Sequence, residues 1–193
     1  MLIRILFFLL ETIFFVLIGA AMLRGWMNWN RINMRAQPGN FVMAVTDWLV
    51  KPLRRILPKA WAQSRVDWAS VLSALLLAFG YALLSGLFFG IWSSTSFDVS
   101  QFSSAAVTAS VLGLLVFAVK MLICVALQIM MILVIGFAIL SWIQSGSPAY
   151  GLLGRLTDPL LGPLRRVIPS IGGVDLSALV LILILQIGLM VLG

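Results

Sequence analysis

Four long apolar runs divide the chain, and the stretches between them are polar, basic or marked by glycine and proline. The runs cover about residues 2–23, 68–91, 121–143 and 174–192. Each is close to the twenty or so residues a helix needs to cross a bilayer core. Between the first and second runs, and again between the third and fourth, the pattern changes to a helical period with two unlike faces. In the stretch TDPLLGPLRRVIP at 157–169, Leu160, Leu161, Pro163, Leu164, Val167 and Ile168 fall on one side, and Gly162, Arg165 and Arg166 on the other. The stretch TDWLVKPLRRILP at 46–58 gives the same wheel, with Leu49, Val50, Pro52, Leu53, Ile56 and Leu57 opposite Lys51, Arg54 and Arg55. Each stretch is predicted as a short amphipathic helix. Asp47 and Asp158 stand as the N-caps, Pro159 follows at the first helical position, and Pro58 and Pro169 end the helices.

The repeated stretch makes the chain a duplicated unit, with a first half at 1–92, a linker at 93–108 and a second half at 109–193. Val66-Asp67 and Val174-Asp175 close the two basic loops, so Asp67 and Asp175 are read as caps of the following runs, near the arginine pairs. Aligning Trp26 with Trp142 sets Arg4 opposite Lys120, so both halves begin their first span with a cation. Arg4 followed by an apolar run imitates a secretory signal, but the run exceeds the usual 7–15 residues and Glu11 interrupts it. It is therefore expected to be a retained span.

Lys51, Arg54, Arg55, Arg165 and Arg166 are read as a lipid or partner interface; they lie in the two loops that join spans within a half, and an excess of Lys and Arg marks a cytoplasmic loop. Trp26, Trp29, Trp48 and Trp61 supply an interfacial belt, and Gln-Pro-Gly-Asn at 37–40 marks a turn. The predicted fold is an all-α membrane protein. Four transmembrane helices form two hairpins of the same orientation, each with a cytoplasmic amphipathic helix. The repeat is parallel, about an axis along the membrane normal.

Small residues recur at every fourth position of the second run: Ser70, Ala74, Ala78, Ala82, Gly86 and Gly90. Such a flat face lets another helix approach closely in lipid, so this span is expected to be the most tightly packed of the four. The apolar stretch at 105–119 either lies along the interface or lengthens the third helix, and Lys120 is expected to snorkel. Glu11 is the acid inside a span. Counted inward from the external ends, Glu11, Gln128 and Gln186 reach similar depth, with Tyr81 and Ser85 nearby. These residues are predicted to form an intramembrane polar layer in which Glu11 is hydrogen-bonded.

Composition narrows the function. Of 193 residues 62% are hydrophobic and 10% charged, which is far from a soluble domain. The net charge of +7 sits beside apolar spans, so it points to anionic phospholipid rather than nucleic acid. There is no histidine, and the lone Cys124 excludes an internal disulfide and a cysteine metal framework. No nucleophile–base pair, phosphate loop or carboxylate cluster is present, so neither an enzyme nor a metal or other cofactor is expected.

Arg-Arg followed by an aliphatic residue and proline, then Gly-Gly-Val-Asp-Leu-Ser at 172–177 and a Leu/Ile run ending in Gln186, resembles the YggT family of integral membrane proteins. Ser141-Trp142 and Asp158-Pro159 extend the match. The first half departs from it at Trp48, in place of the proline, and at the insert 59–65, in place of the Gly-Gly turn. The resemblance implies an inner-membrane or plastid protein linked to osmotic-stress tolerance, division or cytochrome assembly. The expected role is a scaffold or assembly factor that packs against other integral membrane proteins or itself. A small channel or transporter component is the alternative.

Overall fold

The computed structural model describes residues 1–34, 39–57, 67–93, 104–144, 146–168 and 175–192, with side chains except at 3, 87–93 and 104–110. The turn at 37–40 falls partly outside these residues. Pro58, the insert 59–65 with Trp61, most of the linker, Pro169 and the Gly-Gly pair also lie outside the described residues, and Gly90 lies in the part of the second run described by its backbone alone. Six helices occur among those described: α1 (Leu2–Trp29), α2 (Gly39–Ile56), α3 (Trp68–Ser93), α4 (Ser104–Ile143), α5 (Pro148–Arg165) and α6 (Leu176–Leu192). No strand is found there. Three of the helices, α1, α3 and α4, are long and apolar enough to cross a membrane. The apolar α6 has 17 residues, about 26 Å of helix.

Two boundaries move outward from the sequence expectation. α1 runs on to Trp29, and α4 begins at Ser104 and reaches 40 residues. No proline lies between Ser104 and Lys120, so nothing stops the helix from extending backwards through the apolar stretch. Part of the expected linker is thereby helical, and Lys120 is exposed well inside α4.

The amphipathic helices also start earlier than expected, at Gly39 and Pro148. Asp47 and Asp158 are therefore interior residues rather than caps. The N-cap of α5 is Ser147, whose hydroxyl accepts from the Tyr150 N–H at 3.2 Å, with Pro148 at the first position. The reason lies upstream of the repeated motif, where the helical period already runs. Val42, Thr46 and Val50 bury one stripe of α2, and Leu156, Thr157 and Leu161 bury one of α5. That packing outweighs the interior prolines, Pro52 in α2 and Pro159 and Pro163 in α5.

Within each half the two long helices run antiparallel. A Cβ placed on Gly25 of α1 would lie 3.7 Å from Ser70 at the start of α3, and one on Gly80 would lie 3.8 Å from Phe14. Likewise Gly188 of α6 meets Leu127 of α4, while Ala178 and Leu181 pack with Val134 and Phe137. α1 and α4 run the same way. Ile18 and Ala21 share a core with Ala118 and Val125, and further on Met27 shares one with Leu133 and Leu156. At Gly19 a Cβ would come 2.8 Å from Ile129 Cδ1, so the glycine is what admits the Ile129 side chain.

The small-residue seam of α3 is buried over Ser70, Ala74, Ala78 and Ala82, and the alanines at 74 and 78 face the α1 and α4 residues of the central core. Gly86 departs from the expectation, because it is exposed. The Phe14 and Tyr81 rings, 5.5 Å apart, mark the end of the close contact. Beyond them no described side chain of α1 from Leu2 to Ile13 is buried. A larger share of the apolar stretch of α3 is buried than of α1 or α4, 44% against 17% and 22%.

Candidate functional site

The polar side chains that the fold buries lie where the amphipathic helices meet the ends of the long ones. In the first half, Arg24 leaves α1 one turn before its end and is only 6% exposed. Its Nη1 donates to Thr46 Oγ1 at 2.8 Å and to Asp47 Oδ1 at 2.9 Å. Thr46 donates its own proton to the Val42 carbonyl, one turn back in α2, which orients the hydroxyl oxygen as an acceptor for Arg24. Lys51 Nζ reaches the other Asp47 oxygen at 2.8 Å, at the favourable i,i+4 spacing. The hydrogen bond from Lys51 holds the Asp47 carboxyl below its ordinary value. Burial pushes the other way, and Arg24 adds to the lowering through both its hydrogen bond and its charge.

One turn further on, Arg54 Nη2 meets Asp67 Oδ2 at 2.7 Å, across the loop to the start of α3. The same oxygen accepts from the Ser70 hydroxyl at 2.9 Å, and the Asp67 carbonyl takes the Ser70 N–H. Asp67 therefore stands at the cap position of α3 with its carboxylate shared between a serine and an arginine.

The second half uses the corresponding residues. Arg165 Nε and Nη2 both donate to Asp175 Oδ2, at 2.9 and 2.7 Å, and Nη1 reaches Asp158 Oδ1 at 3.2 Å. Its guanidinium lies 5.4 Å from the centroid of the Phe137 ring of α4. Asp175 caps α6 by accepting from the Ser177 N–H at 3.1 Å, and the Ser177 hydroxyl donates to the same oxygen. Burial raises the Asp175 carboxyl, but the Ser177 and Arg165 interactions outweigh it and the net direction is down. Thr157, the counterpart of Thr46, is buried and bonds the Leu153 carbonyl. On the tryptophan alignment, however, Leu140 stands where the first half has Arg24, so Asp158 depends on Arg165 and stays 65% exposed.

Each arginine pair is thus split. The first member, Arg54 or Arg165, binds the aspartate that opens the next long helix. The second, Arg55 or Arg166, is exposed and forms no ion pair among the described residues. Lys51 is exposed while paired to Asp47. The sequence wheel placed both arginines of each pair on one outward face. It could not show that a loop folds back and supplies an acid to the first of them.

The polar layer around Glu11 is not formed as expected. Glu11 is exposed and makes no hydrogen bond among the described residues. Ser85 bonds the Ala82 carbonyl within α3, and Gln186 is exposed on α6, which packs on α4 and α5. Gln128 alone of the three named members shares a cavity with Glu11. The depth count was one-dimensional, whereas the helices carrying Glu11 and Gln186 flank α4 from different sides. The sequence pattern gives no bonding role to Arg24, Thr46, Thr157, Ser73 or Ser177, and it places Trp26 only in the interfacial belt. The signal available was the threonine of the motif, present before the aspartate in both copies. Trp26 ties the halves together, its Nε1 donating to the Leu156 carbonyl at 2.9 Å.

These features define an all-helical membrane protein built from a duplicated unit, in which an Arg–Asp pair anchors each amphipathic helix to the helix that follows it. The chain belongs to the CCB3/YggT family, whose profile matches it twice, over residues 3–88 and 108–193. It is similar to the protein YggT of Escherichia coli strain K12, 33% identical over 181 residues, covering 93% of this chain and 85% of that one. A protein of Vibrio alginolyticus encoded in the proC 3' region is 33% identical over 187 residues, covering 96% and 92% of the two chains. One of Pseudomonas aeruginosa is 26% identical, covering 93% and 83%. No solved structure matches the chain.

Proposed function

We propose that the protein is a non-enzymatic, multi-pass scaffold or assembly factor of the bacterial inner membrane. α1, α3, α4 and α6 cross the bilayer as two hairpins of the same orientation, and α2 and α5 lie at the cytoplasmic face. The observation that carries this reading is how the polar groups are used. Among the described residues every buried side-chain nitrogen and oxygen has a hydrogen-bond partner, and the bonds made by Arg24, Trp26, Arg54 and Arg165 tie one helix to another. What the molecule offers outward is contact surface. One part is apolar flanks such as Leu183 and Ile187 of α6 and Leu112 and Val116 of α4. The other is a basic rim at Arg31, Arg55, Arg155 and Arg166, all exposed.

The rim suits anionic phospholipid, since Asp47, Asp67, Asp158 and Asp175 are already engaged by Arg24, Lys51, Arg54 and Arg165. The flanks suit other integral membrane proteins or a second copy. A part in osmotic-stress tolerance, division or membrane-complex biogenesis fits such a scaffold. A photo-crosslinking residue placed at Leu183, Ile187 or Val116 in intact cells tests the reading. Discrete protein adducts at one flank are expected, and lipid adducts alone at all three positions would sink it.

A second reading, a small ion channel or transporter component, draws on the cavity beside Glu11. Reconstituted vesicles with a potassium or sodium gradient decide between the two. A flux that disappears in Glu11→Gln favours transport over scaffolding.

A further inference from the structure

Between α1 and α4, on the side of Gly19 toward their N-termini, lies a cavity of about 430 Å³. This volume falls in the range of small-molecule sites. Phe8, Glu11, Thr12 and Phe15 line it from α1, at the i, i+3, i+4, i+7 spacing of one helix face. Met121 and Gln128 stand among the residues that line it from α4. Phe8 and Glu11 are exposed, so the cavity is open at its α1 rim.

The chemistry of this lining is one-sided. Glu11 is the only acidic residue in the sequences of the four long apolar helices. A carboxylate in such a segment is costly unless something compensates it. Neither Glu11 nor Gln128 hydrogen-bonds another described residue. Thr12 has spent its proton on the Phe8 carbonyl at 2.7 Å, which leaves its oxygen as an acceptor. Arg4 and Lys120, the basic residues nearest in sequence to the lining stretches of α1 and α4, form no ion pair with Glu11 among the described residues. The cavity therefore presents a negative charge and further acceptors with no internal cation to meet them.

The walls choose among cations. Phe8 and Phe15 flank Glu11 by a turn on either side, and Met121 and Val125 face them. A small hard metal ion needs six or more oxygens and is poorly served by phenyl and thioether groups. An anion is repelled, and a neutral apolar molecule leaves the carboxylate uncompensated. An organic cation satisfies both parts at once. Its charge meets Glu11 and the ring faces, and its carbon groups meet the remaining wall.

We propose that this cavity binds a lipophilic organic cation, with Glu11 as counter-ion, Phe8 and Phe15 as aromatic walls and Gln128 as a further acceptor. The site stands apart from the arginine–aspartate pairs and does not depend on the scaffold reading.

Equilibrium dialysis of radiolabelled tetraphenylphosphonium against the full chain in neutral maltoside micelles tests the proposal. Saturable binding of one cation per chain is expected. Glu11→Gln should weaken it by roughly tenfold or more, Glu11→Asp should retain most of it, and Cys124→Trp, which fills the cavity but keeps the charge, should abolish it. Benzyltrimethylammonium should displace the probe, and neopentylbenzene, of the same shape without the charge, should not. Unchanged binding in folded Glu11→Gln overturns the proposal. So does unchanged binding in Cys124→Trp, or equal displacement by the neutral competitor. Should Glu11→Gln fail to fold, Cys124→Trp and the competitor pair decide alone.

Discussion

Removing either partner of the Arg24–Asp47 pair should destabilise the fold, but by unequal amounts. Arg24 is 6% exposed, and its hydrogen-bond partners are Thr46 and Asp47. In Asp47→Ala the guanidinium stays buried with only a neutral hydroxyl to face it, and breaking a buried pair in this way costs about 3–5 kcal/mol. In Arg24→Met the Asp47 side chain is 27% exposed and keeps Lys51 at 2.8 Å. Its charge is never orphaned, and the loss is that of one charged hydrogen bond, discounted for exposure, about 1–2 kcal/mol.

The expected gap of about 2 kcal/mol is roughly a thirtyfold difference in the folding equilibrium. The double variant Arg24→Met with Asp47→Ala should be more stable than Asp47→Ala alone, because the stranded charge has gone. Unfolding in mixed maltoside and dodecyl sulfate micelles, followed by far-ultraviolet circular dichroism, measures all three. Equal costs for the single variants, or additivity in the double, would refute the reasoning.

Three further outcomes can be checked in the same assay. Ala78→Leu should cost about 1–3 kcal/mol, since Ala78 is wholly buried against α1 and α4, whereas Gly86→Leu should change stability little because its Cβ meets only Leu114 at 3.9 Å. Trp26→Phe should cost about 1 kcal/mol through loss of the bond to the Leu156 carbonyl, and crosslinking between α1 and α5 should fall with it. Acid should also unfold the protein. Asp47 and Asp175 have carboxyls below their ordinary 3.8, so the unfolded chain takes up protons more readily than the native one. Their contribution is complete above that value and lost as pH falls below it. In Asp47→Asn the fraction due to Asp47 should vanish from the pH profile.

The duplicated Thr-Asp stretch, the four apolar runs and the small-residue period of α3 were legible because each is a local pattern. Periodicity and length depend only on neighbours along the chain, and the buried run from Ser70 to Ala82 follows from them. The aspartates at 67 and 175 were legible as caps for the same reason, because a cap lies next to the helix it serves. Asp47 and Asp158 look identical to these in sequence, yet they lie inside helices. Burying Val42 or Leu156 and their neighbours outweighs the local preference for a start at the motif.

What the tertiary structure alone decided is pairing over distance. Arg24 finds Thr46 and Asp47 some twenty residues away, and Trp26 finds Leu156 in the other half. The split of each arginine pair, one member turned to the following helix and one left outward, depends on the path of a loop. The end of the seam before Gly86 and the separation of Glu11 from Gln186 depend on how whole helices pack. Helix packing is settled by the shapes of facing surfaces, and a one-dimensional pattern gives the stripe on each helix without naming its partner.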